Sequence, residues 1–448
     1  MNSYNFNPLD FTLTRKIRIA IMLMLIVLFF AISPFIILYT MGYRYDFDNA
    51  IVKKTGVLSI DVEPRDARIF VNGIQINQRS PIRLTNRAPG TYRILIQKEG
   101  YKEWQKTITV NSNQTTYIRD IRLLLDTTPQ SVTTLSTSTD FYGLPIHEAI
   151  AILEKDVSVA NAYNLSVFNA QRNSFQTITE FTTKPVISVS PFSPAFFTLN
   201  QTPNSQILSL YDFKNPTRVA EFLFSSEDEI AYQWSKRAHE LYLKIDNQIV
   251  RLDITGRAPE PLANVTTTID LWYVEFPQTV WTAQNNVITL LKDPEISYSI
   301  PADTVDILDI TAQRILLETQ NGFTVLRRNT NSASAITHLP ANDAYYHAET
   351  GDWWLWSNWE WWSVHPQGTI DLQSRQSEII NEIRPLDEYG LKLLMNASSL
   401  KALNPGVYPS QTLLEKSPIT WVNSFPKLRK ILFVETTDAG REFFELLY

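Results

Sequence analysis

Leu241–Gly256 reads LYLKIDNQIVRLDITG and Trp353–Gly368 reads WWLWSNWEWWSVHPQG; laid one on the other without a gap, their apolar runs, polar turns and closing glycines coincide. Each reads as a strand, a turn and a second strand, and a chain that repeats one hairpin at intervals builds a stacked or radial β architecture. Further copies are FTLNQTPNSQILSLYDF from Phe197, VITLLKDPEISYSI from Val287, ILLETQNGFTVLRR from Ile315 and ILFVETTDAGREFFELLY from Ile431, with weaker ones near Ala149 and Leu391. Starts at 149, 197, 241, 287, 315, 353, 391 and 431 are 48, 44, 46, 28, 38, 38 and 40 residues apart. Apart from the short step after Val287, these intervals are near the roughly 40–50 residues of a four-stranded propeller blade. Trp234, Trp281 and Trp421 each precede a hairpin by six to ten residues, as a core aromatic at one recurring blade position would.

Helical patterns are scarce in this region. The best is SRQSEIINEIRPLDEYG, Ser374–Gly390, a helix that Pro385 would end. Without alternating helices a parallel α/β sheet is not expected, and a large all-β domain is. Residues 131–448 are therefore expected to form a seven- or eight-bladed β-propeller, with a pair of stacked β-sandwiches as the alternative. Its last strand is expected to close the ring by joining the first blade, since closure removes exposed sheet edges. The Thr- and Ser-rich stretch DTTPQSVTTLSTSTD, residues 126–140, marks the boundary before it.

Working outward towards the N-terminus, residues 19–41 read IAIMLMLIVLFFAISPFIILYTM, 23 residues without a charge. That is long enough to cross a hydrocarbon core of about 30 Å and longer than the apolar region of a signal peptide. Arg15, Lys16 and Arg18 precede the span, and only Arg44 follows closely, between the span and the acids Asp46 and Asp48. The positive-inside bias thus places residues 1–18 in the cytoplasm and the rest outside, with Tyr39, Tyr43 and Tyr45 at the outer interface. Eighteen residues are too few for a cytoplasmic output domain, which disfavours a transmembrane sensor.

Between the span and the repeats, VLSIDV, ARIFVNG, YRILIQKEG and KTITV alternate polar and apolar residues between turns at Asn72-Gly73, Pro89-Gly90 and Glu99-Gly100. This is the pattern of a small antiparallel sandwich. The succession GVLSIDVEPRDARIFVNG, SPIRL and PGTYRILIQKEGYKEWQKTITV resembles a PEGA domain over residues 56–125. The namesake tetrapeptide stands as Pro64-Arg65-Asp66-Ala67, with Asp66 replacing a glycine, and the closing element as Gly100-Tyr101-Lys102-Glu103-Trp104. The resemblance implies a β-sandwich of surface-associated or membrane-anchored prokaryotic proteins that mediates interactions and carries no transferable active site. In the repeat region, WSKRAHELYLKIDN from Trp234 is similar to the blade signature of TolB-like propellers, with Lys236-Arg237-Ala238 where that signature has Pro-Asp-Gly.

Composition narrows the chemistry. Forty basic against 46 acidic residues give a net charge of −6, so no global drive towards nucleic acid exists, and zero cysteines exclude disulfides, zinc–thiolate sites and cysteine nucleophiles. No nucleophile elbow, metalloprotease helix, phosphate loop or dinucleotide fingerprint occurs, so no enzyme activity, cofactor or metal is expected. His347 and His365, with Glu349 or Asp352, have the residue types of a metal or acid–base pair, but solvated or hydrogen-bonded histidines are favoured; the Ser225–Glu229 acidic turn lacks a calcium-ligand ladder.

The unusual feature is that six of eleven tryptophans fall between Trp353 and Trp362. Strand alternation sends about half to each face. The candidate ligand contacts are therefore Trp353, Trp359 and Trp361, with Tyr101 and Trp104 of the small module; core packing competes for all five. The expected function is a single-pass membrane-anchored envelope protein whose outer region binds or scaffolds a protein or cell-wall glycan. The alternative is a propeller-type polysaccharide hydrolase or lyase, which requires a pair of carboxylates at a pocket.

Overall fold

The computed structural model describes residues 14–46, 51–156, 158–159, 162–216, 218–237, 239–266, 269–329, 332–388, 390–404, 408–415, 418–437 and 440–448. The N-terminal residues 1–13, Asp48, Ala238 and Tyr389 lie outside the described residues. The chain divides into two compact units, one ending at Leu124 and one beginning at Leu125.

The first unit opens with helix α1, Arg15–Thr40. Its 26 residues bury none of their side chains, and it is long and apolar enough to cross a membrane. The helix starts four residues before the expected span, so that Arg15, Lys16 and Arg18 form its first turn. After it come a two-stranded ribbon and a sandwich of a three-stranded and a four-stranded sheet. Gly56–Glu63 is the central strand of the three-stranded sheet, antiparallel to Ile82–Arg87 and parallel to Thr115–Arg122. Leu58, Ile60 and Val62 alternate into the core against Ile69, Ile94, Ile96 and Trp104. Asn72 and Gly73 both take positive φ, 50° and 81°, as the tight turn joining Val71 to Ile74 demands. The tetrapeptide at Pro64–Ala67 forms a turn in which the Ala67 N–H donates to the Pro64 carbonyl, 3.1 Å.

Among the described residues the second unit contains eight four-stranded antiparallel sheets. We number these blades in chain order: blade 1 Thr139–Phe181, blade 2 Val186–Ser225, blade 3 Ile230–Asn264, blade 4 Leu271–Ser299, blade 5 Thr304–Leu339, blade 6 Asp343–Arg375 and blade 7 Glu382–Glu415. Blade 8 takes three strands from Ile419–Leu447 and its fourth from Gln130–Leu135, which pairs with Gly440–Leu447. The ring thus closes through the last blade, which receives the region's first strand, and not by the last strand entering the first blade.

Each blade bonds to the next all the way round. His147 meets the Ser190 carbonyl, the Trp234 indole the Ser188 hydroxyl, Gln233 the Val274 backbone and Arg328 the Glu275 carboxylate. Arg314 meets the Val364 carbonyl, Arg384 stacks on Tyr345, Ser424 donates to the Pro385 carbonyl and Arg441 returns to the Thr139 carbonyl. Eight sheets with eight consecutive interfaces make a closed eight-bladed β-propeller. The first strand of each blade is the innermost, with one edge paired and the other facing the axis.

Three sequence expectations change. Second strands begin at 149, 195, 240, 279, 314, 352, 392 and 430, so the blade interval runs from 35 to 46 residues. The hairpin at Val287 is the third and fourth strand of blade 4, which produced the short step; the true second strand is Thr279–Gln284. The helix expected over Ser374–Gly390 is absent: Ile383 is fully buried opposite Leu394 in strand Glu382–Pro385, because tertiary pairing outweighs a weak local helical pattern. The three recurring tryptophans do not share one position, since Trp234 and Trp421 lie on first strands and Trp281 on a second.

Candidate functional site

Five of the clustered tryptophans are core. Trp353, Trp354, Trp356, Trp361 and Trp362 are each at most 8% exposed. Alternation does send them to opposite faces of the blade 6 sheet, but both faces are covered. Trp353 and Trp362 pack against Leu316, Phe323 and Val325 of blade 5, and Trp354, Trp356 and Trp361 against Ile383, Leu394 and Leu403 of blade 7. A propeller blade is sandwiched between two neighbours, so alternation does not expose half of its residues. A platform built on Trp353 and Trp361 is therefore ruled out by burial.

Trp359 is different. It sits in the turn between the second and third strands of blade 6 and is 48% exposed. The segment that follows the blade is tied to this turn: Gln376 N–H donates to the Trp359 carbonyl (2.8 Å) and Ile380 N–H to the Asn358 carbonyl (2.9 Å). That segment, with Glu378 and Ile379, lines a pocket of about 170 Å³ together with Asn396, Lys401 and Ser410. Ile379 in that lining, like Trp359, is a large apolar residue left exposed. In the small module, Trp104 is 1% exposed and closes the sandwich core, while Tyr101 is half-buried beneath the Lys98 ammonium, 5.4 Å from its ring centre. Lys98 is itself paired with Asp66 at 2.6 Å.

The axis holds what the sequence did not single out. The turns leaving the innermost strands gather at one end of the ring. Beside them Asp309, with no exposed surface, accepts four bonds: from Lys236 Nζ (2.5 Å) and Tyr273 OH (3.2 Å) at one oxygen, and from Arg314 Nη2 (2.9 Å) and Trp353 Nε1 (3.2 Å) at the other. These fill the acceptor capacity of a carboxylate. The donors come from blades 3, 4, 5 and 6. Phe192 of blade 2 meets Tyr346 of blade 6 edge to face at 4.8 Å, directly across an eight-membered ring. Burial and the neighbouring Asp309 charge hold the Tyr273 phenol well above its ordinary pKa, so it stays a donor. Trp353 is thus a structural donor and not a ligand platform.

At the other end, where the innermost strands begin, a cavity of about 360 Å³ is lined by Ile230–Gln233, Asp270–Tyr273, Asp306 and Ile307. Tyr232 is 43% exposed into it and Trp272 is half-buried. Asp306 is open to solvent, accepts the Ile307 N–H at 2.7 Å and, among the described residues, is in no ion pair. Although its surface is exposed, partial burial of the carboxyl against the cavity wall raises it above the usual range, opposed by the Ile307 N–H, and burial does the same for Asp343 on the adjoining innermost strand.

The histidine pair divides. Asp352 and Asp371 flank His365 at 2.9 and 3.0 Å; burial opposes its protonation, but bonds to Asp371 and Asp352 carry its pKa above the ordinary value. His347 instead stacks on Trp354 at 4.7 Å and bonds Thr350. Among the described residues no group of three His, Asp or Glu side chains is placed to hold a metal ion.

Residues 55–123 match the PEGA domain family. No curated protein matches the chain. Among solved structures it is similar to an uncharacterized protein of Listeria monocytogenes EGD-e, at 8% identity and a TM-score of 0.42, over 66% of this chain and 100% of that one. It is also similar to the β-propeller domain of Cps50 (Swd1) from Myceliophteria thermophila, at 11% and 0.40 over 72% and 100%, and to the Dos1 propeller, at 12% and 0.41 over 72% and 95%.

Proposed function

We propose that this protein is a membrane-anchored envelope module that binds a cell-wall glycan through the rim of blade 6. The helix α1 is the anchor, and the basic residues Arg15, Lys16 and Arg18 at its start favour a cytoplasmic N-terminus with both β units outside. The observation that carries the glycan reading is Trp359: one indole exposed where five are buried, in a turn whose backbone is bonded to the Gln376–Ile380 segment, which lines a pocket with Glu378, Asn396 and Ser410 as hydroxyl partners. An aromatic face against the C–H face of a sugar with amides and carboxylates at its edge is the usual division of labour in such sites.

The test is titration of the detergent-solubilised full chain with peptidoglycan fragments and neutral glycans, following tryptophan fluorescence. Saturable binding lost in Trp359→Ala supports the reading; binding unchanged by that substitution, or none at all, contradicts it, and release of cleaved sugars would favour the hydrolase alternative. Orientation is tested independently. The chain has no cysteine, so single cysteines placed at Asn2 and Thr127 report their side of the membrane to an impermeant maleimide; labelling of Thr127→Cys alone is expected from intact cells.

A further inference from the structure

The geometry points to a second site, independent of Trp359: the axial cavity bounded by Tyr232, Asp270, Trp272 and Asp306 binds an extended, arginine-bearing segment of a partner protein. Three observations converge. The cavity combines aromatic faces, Tyr232 and Trp272, with the carboxylates Asp270 and Asp306, and none of its lining residues is basic. Aromatic faces beside carboxylates suit a guanidinium, which stacks on one and forms paired hydrogen bonds with the other. Neither carboxylate is already neutralised: Asp270 accepts the Asn285 N–H at 3.1 Å, Asp306 the Ile307 N–H, and among the described residues neither is in an ion pair.

The walls are innermost strands paired on one edge only, so Ile230–Gln233 and Leu271–Tyr273 turn an unpaired strand edge to the axis, while at Asp306–Ile307 the Ile307 N–H is taken by the Asp306 carboxylate. Such edges suit a peptide better than a small amine, because an extended chain satisfies them in register. Depth is limited from the far side. Tyr273, in the cavity wall, hands its hydroxyl to Asp309, beyond which Lys236 and the Phe192–Tyr346 contact close the axis. The site therefore accepts a chain end or loop from one side and does not let a strand thread through.

The experiment uses the full chain in non-ionic detergent at about 0.15 M salt, where long-range attraction is screened, with a fluorescein-labelled GRGRGR peptide as probe and its citrulline isostere as the neutral control. Saturable binding of the arginine peptide is expected, weaker by about tenfold or more for the citrulline peptide and for the Asp270→Asn/Asp306→Asn double variant. The Glu227→Gln/Glu295→Gln variant removes the same charge from exposed sites and should change affinity by less than about twofold. Equal losses in both double variants would show attraction to the acidic protein as a whole and overturn the site. Equal binding of the citrulline peptide, or no saturable binding, overturns it as well. Trp359→Ala is expected to leave arginine-peptide binding intact, so failure of the glycan reading and failure of this one are read separately.

Discussion

Asp306 and Asp309 stand three residues apart on one innermost strand, Thr304–Ile310, and the fold treats them in opposite ways. Asp309 is sealed from solvent and takes four donors, two of them cationic. Asp306 opens to a cavity with one backbone N–H as partner. The strand achieves this with two register shifts against its neighbour, between Thr304 and Asp306 and between Ile307 and Asp309. Bulges re-aim side chains that strict alternation would fix. The comparison teaches that one end of the axis is spent on holding blades together, while the other carries unsatisfied recognition chemistry.

The largest effect should come from breaking the sealed end. Asp309→Asn leaves Arg314 buried without its anion, and losing one partner of such a pair costs about 3–5 kcal/mol; chemical denaturation should show a lower midpoint. Next is His147, beside the same turns. Its Nδ1 accepts the Leu144 N–H, its Nε2 meets the Ser190 carbonyl, and burial pushes its pKa down to about 4. The unfolded chain takes up this proton near pH 6.5 and the folded one does not, so about 3 kcal/mol of stability should disappear as pH falls from 6.5 towards 4. A His147→Phe variant should lose that component of the acid sensitivity.

Smaller effects follow at the interface of blades 6 and 7. Lys392 lies 5.0 and 5.2 Å from the Trp354 and Trp361 rings, and burial lowers its pKa to about 8. The unfolded chain holds this proton up to a higher pH, so the native protein should gain stability between pH 8 and 10.5. Lys392→Met should remove that gain and be neutral or stabilising by about 1 kcal/mol at pH 7. The smallest effect belongs to the exposed rim: Trp359→Ala should change stability by less than about 0.5 kcal/mol, against about 3–5 kcal/mol for Trp361→Ala. Parallel thermal melts check both.

The repeat was legible because each blade buries two apolar strands around a polar turn, a spacing that the chain shows directly. Blade 4 was misphased because its third and fourth strands, Val287–Leu290 and Asp293–Ser299, mimic the hairpin that the second and third strands form elsewhere. The hairpins of the small module read well because adjacent strands and the Asn72-Gly73 turn keep that information local, but the sandwich is not purely antiparallel as expected: Gly56–Glu63 pairs in parallel with Thr115–Arg122, a pairing between the module's two ends that no local pattern carries. The Asp309 cluster could not be read in the same way, since Lys236, Tyr273, Asp309 and Trp353 come from four blades. Its one local trace is a charge inside an apolar run, Asp309 in ILDIT and Arg314 in RILLET, a place where a buried charge must find a partner. The tryptophan cluster misled because alternation predicts exposure for a sheet with one wet face, and a blade has none.

The most direct test of the division along the axis is urea unfolding at pH 7 of Asp309→Asn beside Asp306→Asn. The account predicts a loss of about 3–5 kcal/mol for the first and, for the second, a change within about 0.5 kcal/mol, since its open carboxylate is an unpaired charge. Similar losses in both variants would mean that Asp306 is also part of the scaffold, and the cavity it lines would lose its claim as a binding site.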